Sequence, residues 1–317
     1  MRLATALALV PAMLLASCIG RRGPPTAAGY PEATSLLGAP LYAVERPLER
    51  RQQLEADLAQ AYAAYERNPD DADAIIWLGR RVAYLGRYRD AIGIFSEGIR
   101  KHPNDPRMYR HRGHRWITVR EFDRAVQDLE QAARLLRGRP DEVEPDGAPN
   151  ARNVPLSTLH FNVWYHLGLA HYLRGEWGQA LYGFRNALSV ARNDDSRVAA
   201  TDWTYMTLRR MGREAEAAAL LESIQPGMEI VENDSYYRRL LMYKGLLSPD
   251  SLLAQNGGDA ATLATQGYGV GNWHLYNGRV DQAEEIFWRV TSAEEWAPFG
   301  YIAAEADLRR MLHRRRN

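Results

Sequence analysis

The sequence predicts an all-α fold built from repeated helical units, and three observations carry that expectation. Residues recur at a fixed offset of 34: Gly79 at Gly113, Ala91 at Ala125, Phe95 matched by Leu129 and Ile75 by Tyr109. A further copy, Trp164, Leu167, Gly168, Gly175, Ala180, Phe184 and Ala187, stands 55 residues after the second, one period plus a 21-residue insertion. The inserted stretch, Gly138 to Pro155, carries Pro140, Pro145, Gly147, Pro149 and Pro155 beside Asp141, Glu142, Glu144 and Asp146, and reads as a polar loop between units. A period of this length is the mark of stacked units, none of which buries its apolar face alone.

The rest of the chain follows in order. Its 317 residues are 46% hydrophobic and 25% charged, ordinary globular composition that excludes collagen, wholesale disorder and a polytopic membrane protein. Lys plus Arg number 40 against 39 Asp plus Glu, a net charge of +1, which excludes a general nucleic-acid binder by electrostatics. One cysteine excludes an intramolecular disulfide framework and a thiolate metal cluster. Met1-Arg2 opens a run, Leu3 to Ala16, that is apolar apart from Thr5 and interrupted by Pro11. At about 14 residues it is short of a membrane span, which needs roughly 20, and has the proportions of a signal-peptide core. The run ends in Leu15-Ala16-Ser17-Cys18, which resembles a bacterial lipobox. That resemblance implies a signal peptide over 1–17 and lipidation of Cys18. The alternative is an ordinary secretory signal cleaved nearby. Several acyl chains hold firmly where one anchors only marginally. Ile19 stands where an Asp often marks inner-membrane retention in such families, so the resemblance implies an envelope protein, anchored in the outer membrane and facing the periplasm. Residues 18–47, with Pro24, Pro25, Pro31, Pro40 and Pro47, read as a Pro-rich tether.

The repeat resembles the tetratricopeptide (TPR) family, whose pattern is W-x2-L-G-x2-Y, then A-x3-F, then P. Trp164-x2-Leu167-Gly168-x2-His171 with Ala180-x3-Phe184 follows it closely. So does Ile75-x2-Leu78-Gly79-x2-Val82 with Ala91-x3-Phe95 and Pro103. The middle copy is Tyr109-x2-Arg112-Gly113-x2-Trp116 with Ala125-x3-Leu129. Weaker copies carry Gly212 with Ala217-x3-Leu221, and Gly278 with Ala283-x3-Phe287. The resemblance implies a right-handed α-solenoid of helix-turn-helix repeats. It comprises an N-terminal helix (48–71), repeats 1–2 (72–139), a loop insertion (140–160), repeats 3–4 (161–231), an irregular helical segment (232–263), then a degenerate repeat 5 with a closing helix (264–312). The spacing has a physical cause: the Gly and the small Ala let paired helices approach, and the large residues fill the layer between units. Gly86, Gly175, Gly212 and Gly278 fall at turns where a helix end often needs positive φ. Asp123 and Asp281 are placed to cap second helices, and Trp77, Trp164, Trp177 and Trp203 are expected in the core.

Catalytic constellations are missing from the sequence. There is no phosphate-binding loop, no His-Glu-x-x-His and no Gly-x-Ser-x-Gly. Alternating Gly267, Gly269 and Gly271 read as packing inside a degenerate repeat. His111 and His114 are spaced i, i+3, but Arg110, Arg112 and Arg115 surround them and disfavour a cation. The expectation is a non-enzymatic protein with no cofactor, no metal and no catalytic residue.

A partner is expected in the groove that the family's first helices line. Carrying the family's lining positions onto units starting at Ala72, Pro106 and Phe161 places Arg80, Tyr84, Arg107, Arg110, His114, Asn162, Tyr165 and Tyr172 there. From Arg80 to Arg120 eleven Lys or Arg face three acids, a local charge of +8. An arginine fork suits a carboxylate, and a tyrosine supplies apolar area with a polar tip. The expected function is a scaffold or adaptor whose groove takes an extended protein or peptide segment, acidic or ending in a carboxylate. The membrane is engaged through the N-terminal lipid and nucleic acid not at all. An accessory glycan- or small-molecule-binding lipoprotein is the alternative, and an enzyme on an envelope polymer the third.

Overall fold

The protein is described by a computed structural model over residues 29–150, 152–254 and 260–316, the side chain of residue 316 excepted. The chain divides into Met1–Tyr30 and a body, Pro31–Asn317. The leader and Cys18 lie outside the described residues. The body is helical: α1 (Leu48–Arg67), α2 (Ala72–Tyr84), α3 (Tyr88–Lys101), α4 (Pro106–Thr118), α5 (Phe122–Leu135), α6 (Leu159–Arg174), α7 (Trp177–Ser189), α8 (Asp194–Arg210), α9 (Glu214–Leu220), α10 (Asp234–Tyr243), α11 (Pro249–Ala254), α12 (Ala260–Tyr276), α13 (Val280–Thr291) and α14 (Phe299–Arg316). Among the described residues no helix is long and apolar enough to cross a membrane. The one sheet there is a short antiparallel pair, β1 (Ala33–Thr34) and β2 (Pro40–Leu41), with Ala33 opposite Leu41.

Helix pairs form where a helical glycine meets a large residue 16 positions on. A Cβ built on Gly79 would lie 2.5 Å from the Phe95 ring, and one on Gly168 2.7 Å from Phe184. Gly113 and Leu129 repeat the fit, as do Gly271 and Phe287 in α12 and α13. The fourth pair departs from it. Tyr205 stands where the small residue would be, so α8 instead stacks Tyr205 on Tyr243 of α10 at 4.4 Å. Its partner α9 is short and tightens into a 3-10 turn at Leu221–Ser223.

First helices are capped by side chains: Asp71 accepts from Ala74 N, Asp105 from Arg107 N, Thr158 from Phe161 N and Asn193 from Ser196 N. The second helices are not. Glu121 and Arg279 occupy the cap positions of α5 and α13 without a side-chain bond, so Asp123 and Asp281 sit within the first turn and do not cap. The turn glycines have the expected positive φ (Gly86, Gly175, Gly212, Gly278), but Arg120, one period after Gly86, takes φ 68 without being glycine. The reason lies across the molecule. Its buried guanidinium donates to Glu305 Oε2 at 2.9 Å and to the Trp296 carbonyl at 2.9 Å.

Those bonds seat α14 against the inner surface of the earlier pairs. Phe299 packs on His114 of α4 and on His166 of α6. Asp307, buried, accepts from Arg210 of α8 and from Arg310, while Arg310 also donates to the Tyr172 and Leu173 carbonyls at the end of α6. An aromatic stack, Phe184, Trp203, Tyr268 and Phe287, runs from α7 through α8 and α12 to α13 with centroids 5.6–5.9 Å apart. Trp203 is fully in the core, whereas Trp77, Trp164 and Trp177 are only half-buried. Residues from Pro31 onward correct the reading of a free tether. Ala33 and Leu41 are in the main core, Trp296 Nε1 donates to the Tyr42 carbonyl, and Arg46 pairs with Glu295.

Arg120 therefore trades backbone strain for a buried ion pair. Arg120→Gly relieves about 1 kcal/mol of strain but leaves Glu305 buried and unpaired, a cost of about 3–5 kcal/mol. Urea unfolding should show a net loss of about 3 kcal/mol, partly recovered when Glu305→Gln is added. A neutral or stabilising Arg120→Gly would show that this pair does not hold α14.

Candidate functional site

The inner surface of α2, α4 and α6 carries the residues expected to line a groove, and the chain itself covers it in two ways. Toward α6 the cover is helical. Tyr172 is fully buried, its hydroxyl 2.7 Å from that of Tyr268 and 3.2 Å from Asn272 Nδ2 on α12. Tyr165 donates to the Tyr236 hydroxyl at 3.1 Å and faces Phe299. His114 lies 4.4 Å from the His166 ring and 5.2 Å from Phe299. These three are corrected from groove residues to contacts with α10, α12 and α14. The physical reason is the apolar length of α6, whose buried face runs from Leu159 to Leu173 and needs a second layer on its inner side.

Toward α2 the cover is the inserted loop. Val143 bridges Thr158, Glu144 N donates to the Ser157 carbonyl, and the loop then crosses α4 and α2. Glu144 is buried and takes Arg110 Nη2 at 2.8 Å, with His111 Nε2 at 3.8 Å and Asn162 Nδ2 on the same carboxylate. Asn162 is thereby a loop contact as well. Arg80 donates to the Pro145 carbonyl at 2.8 Å and to the Tyr84 hydroxyl at 3.3 Å, over the Trp77 ring. Arg107 is committed to Asp105 at 2.6 Å and Asp73 at 2.5 Å, where it ties the starts of α4 and α2 together. Of the expected residues, Arg80, Tyr84 and Arg110 are brought together at this end.

Arg115 joins them. It lies over the Tyr88 ring at 5.6 Å and, among the described residues, its side chain makes no hydrogen bond or ion pair. Burial, and then the like charges of Arg110 and Arg80, lower its pKa to about 10. Arg110 Nε is buried without an acceptor. Of the three guanidinium groups, Arg110 alone is paired with a carboxylate, Glu144, while Arg80 is held by the Pro145 carbonyl and the Tyr84 hydroxyl. Sequence reading missed Arg115, which falls between the carried-over positions, and missed Glu144 as a site residue because the loop was read as a spacer. The signal for α14 was present: Glu305 and Asp307 stand inside an apolar run, Ile302-Ala303-Ala304-Glu305-Ala306-Asp307-Leu308, and buried acids require partners.

Chemically this end attracts anions. Burial first, and then Arg110 and Arg115, hold the imidazoles of His111, His114 and His166 well below their ordinary pKa. Neutral His111 accepts from Arg110 Nη1 at 3.1 Å through Nδ1, and His166 Nδ1 donates to the Asn162 carbonyl. Among the described residues no group of three His, Cys, Asp or Glu is arranged to hold a metal.

The folded state keeps these three imidazoles neutral, and the unfolded chain protonates them below about pH 6.5. Their contribution to stability is complete above that value and is lost as pH falls, at up to about 1.4 kcal/mol per histidine per pH unit. Thermal melts should show Tm falling from pH 7 to 5, and His166→Phe should flatten that slope. An unchanged slope would mean that the imidazoles titrate normally.

No family model and no curated protein matches the chain. Solved structures resemble it. YrrB, described as a TPR protein with an unusual peptide-binding site, is 16% identical over 81% of this chain and 98% of its own, with a TM-score of 0.41. A tetratricopeptide repeat protein from Parabacteroides merdae is 15% identical over 82% of this chain and 94% of its own, at 0.45. MamA is 14% identical over 63% and 89%, at 0.42. These likenesses are of fold, and the chain's own elements make it an all-α array of paired helices in which Gly79 seats Phe95 and Gly113 seats Leu129 one 34-residue period later.

Proposed function

We propose that the protein is a non-enzymatic scaffold of the cell envelope that holds an acidic segment of a protein partner at the basic end of its inner surface. The carrying observation is that Arg80, Arg110 and Arg115 lie near enough for their like charges to act on one another, while Arg110 alone has a carboxylate, Glu144. Guanidinium groups in a partly dehydrated site select carboxylates, because the fork matches two oxygens and the low dielectric strengthens the attraction. The binding length is shorter than a full repeat groove, because α14 covers the inner face of α6. A sugar-binding reading loses its platforms, since Tyr165 and Tyr172 are buried against the chain's own helices. Cys18 supplies the anchor in this proposal. The lipid would hold the body at the outer membrane, facing the periplasm.

Two measurements test the reading. Crosslinking in the native envelope with the Arg80→Glu/Arg110→Glu variant should lose the partner that the parent chain captures, and retained capture would discard the basic end as the site. Cys18→Ser should move the protein from the membrane fraction to the soluble fraction, and a variant that stays with the membrane would discard the lipid anchor.

A further inference from the structure

The loop that covers the basic end has an unusual way of being held. In residues 142–150 only Glu144 and Gly147 are buried, while Glu142, Val143, Pro145, Ala148 and Pro149 are exposed. No large apolar side chain of this stretch is buried. Its attachments are the Glu144 carboxylate, the Asn150 amide and a few backbone groups. Glu144 takes Arg110 and Asn162, the Pro145 carbonyl takes Arg80, and the Gly147 carbonyl takes Arg81 Nη1 at 2.9 Å. At the far side Asn150 Nδ2 donates to Glu232 Oε1 at 2.5 Å. Glu232 belongs to a turn that Asp195 of α8 fixes by accepting from Val231 N, Glu232 N and Asn233 N. The segment therefore spans from α2 to this turn and lies over Arg80, Tyr84 and Arg110.

Gly147 makes the close approach possible. A Cβ there would overlap the Tyr84 hydroxyl and lie 2.6 Å from Arg80 Nη2. The geometry reads as a recognition pattern: a carboxylate at one position, a backbone carbonyl at the next, and a residue without a side chain three positions after the carboxylate. It is met by an extended backbone, not by a folded surface.

We propose that residues 144–150 are the chain's own ligand for the basic end, and that the partner is an extended acidic segment of the same pattern, Glu-Pro-x-Gly or its equivalent, which binds by displacing them. This rests on the reading of the basic end as a partner site and names what fits it. Displacement is inexpensive because the stretch gives up polar contacts that the incoming segment restores, and no buried apolar area. A chain whose site is self-occupied binds more weakly in proportion to the fraction that is open. The covering segment thus sets a threshold as well as a template.

The test replaces the segment in trans. The probe is a fluorescein-labelled peptide of residues 142–150, Glu-Val-Glu-Pro-Asp-Gly-Ala-Pro-Asn. The Gly147→Val variant of the full chain adds the Cβ that overlaps Tyr84, so hydrogen exchange across 144–150 should quicken. The peptide should then bind it at least about tenfold more tightly than it binds the parent chain. A peptide with Gln at the Glu144 position, or Val at the Gly147 position, should not bind. Adding Arg110→Gln should abolish the gain. The isosteric Glu144→Gln variant loosens the segment without adding bulk, and should show the same gain if Gly147→Val proves poorly folded. A freed segment with no gain in peptide binding overturns the self-ligand inference, as does exchange that stays slow in both variants. Arg110-dependent capture of the envelope partner by the parent chain would still stand in that event. Loss of that capture as well would bring down the functional reading itself.

Discussion

Glu305 and Asp307 lie on the inner side of a helical array, almost wholly out of water, each within hydrogen-bond reach of an arginine from a distant part of the chain, Arg120 in the turn before α5 and Arg210 in α8. A carboxylate in such a place is tolerable only when paired, and a guanidinium left without it is equally costly. Arg120, Arg210 and Arg310 therefore do not merely decorate α14. They tie α14, which packs along α12 and α13, to the turn before α5, to α8 and to the end of α6. The left-handed backbone of Arg120 is part of the same arrangement. The turns at Gly86, Gly175, Gly212 and Gly278 place glycine at this position, whereas the turn before α5 places a side chain that reaches Glu305.

With α14 in place, the inner surface divides into two regions of different physics. Around Tyr165, Tyr172 and His114 it is filled by aromatic contacts and buried ion pairs, and opening it would expose apolar area and unpaired charge together. Around Arg80 and Arg110 it is covered by a loop held through a carboxylate and backbone carbonyls. The first region behaves as core. The second has the character of a site, because its occupant contributes little that an external ligand could not supply.

The internal packing explains why the repeats weaken toward the C-terminus without the array failing. Where the small residue is lost, at Tyr205, α8 finds α10 in place of a long second helix. Where three glycines alternate, each makes room for a different neighbour: Gly267 for Val290, Gly269 for Arg239 and Gly271 for Phe287. Arg239 passes through the space at Gly269 to reach buried Asp202 and the Thr265 carbonyl. The degeneracy is thus a set of specific substitutions that replace a repeated contact with a long-range one.

The amino-acid sequence by itself determined the helical pairs of the first three units, the inserted loop and the turn glycines, because these follow from spacing within a single unit and a unit's contacts are local. The pairing of Gly79 with Phe95 and of Gly168 with Phe184 is legible at 16 residues' separation. Tertiary structure alone decided which surface stayed open. Arg120 meets Glu305 across 185 residues, and Tyr172 meets Tyr268 across 96, separations over which no period speaks. The basic end was half legible: Arg80 and Arg110 followed from position in the repeat, whereas Arg115 and Glu144 did not, since one depends on the curl of the array and the other on where a loop comes to rest. A residue's place on a helix face is written locally. Whether water, a partner or the chain's own C-terminal helix meets that face is settled only when distant parts of the chain compete for it.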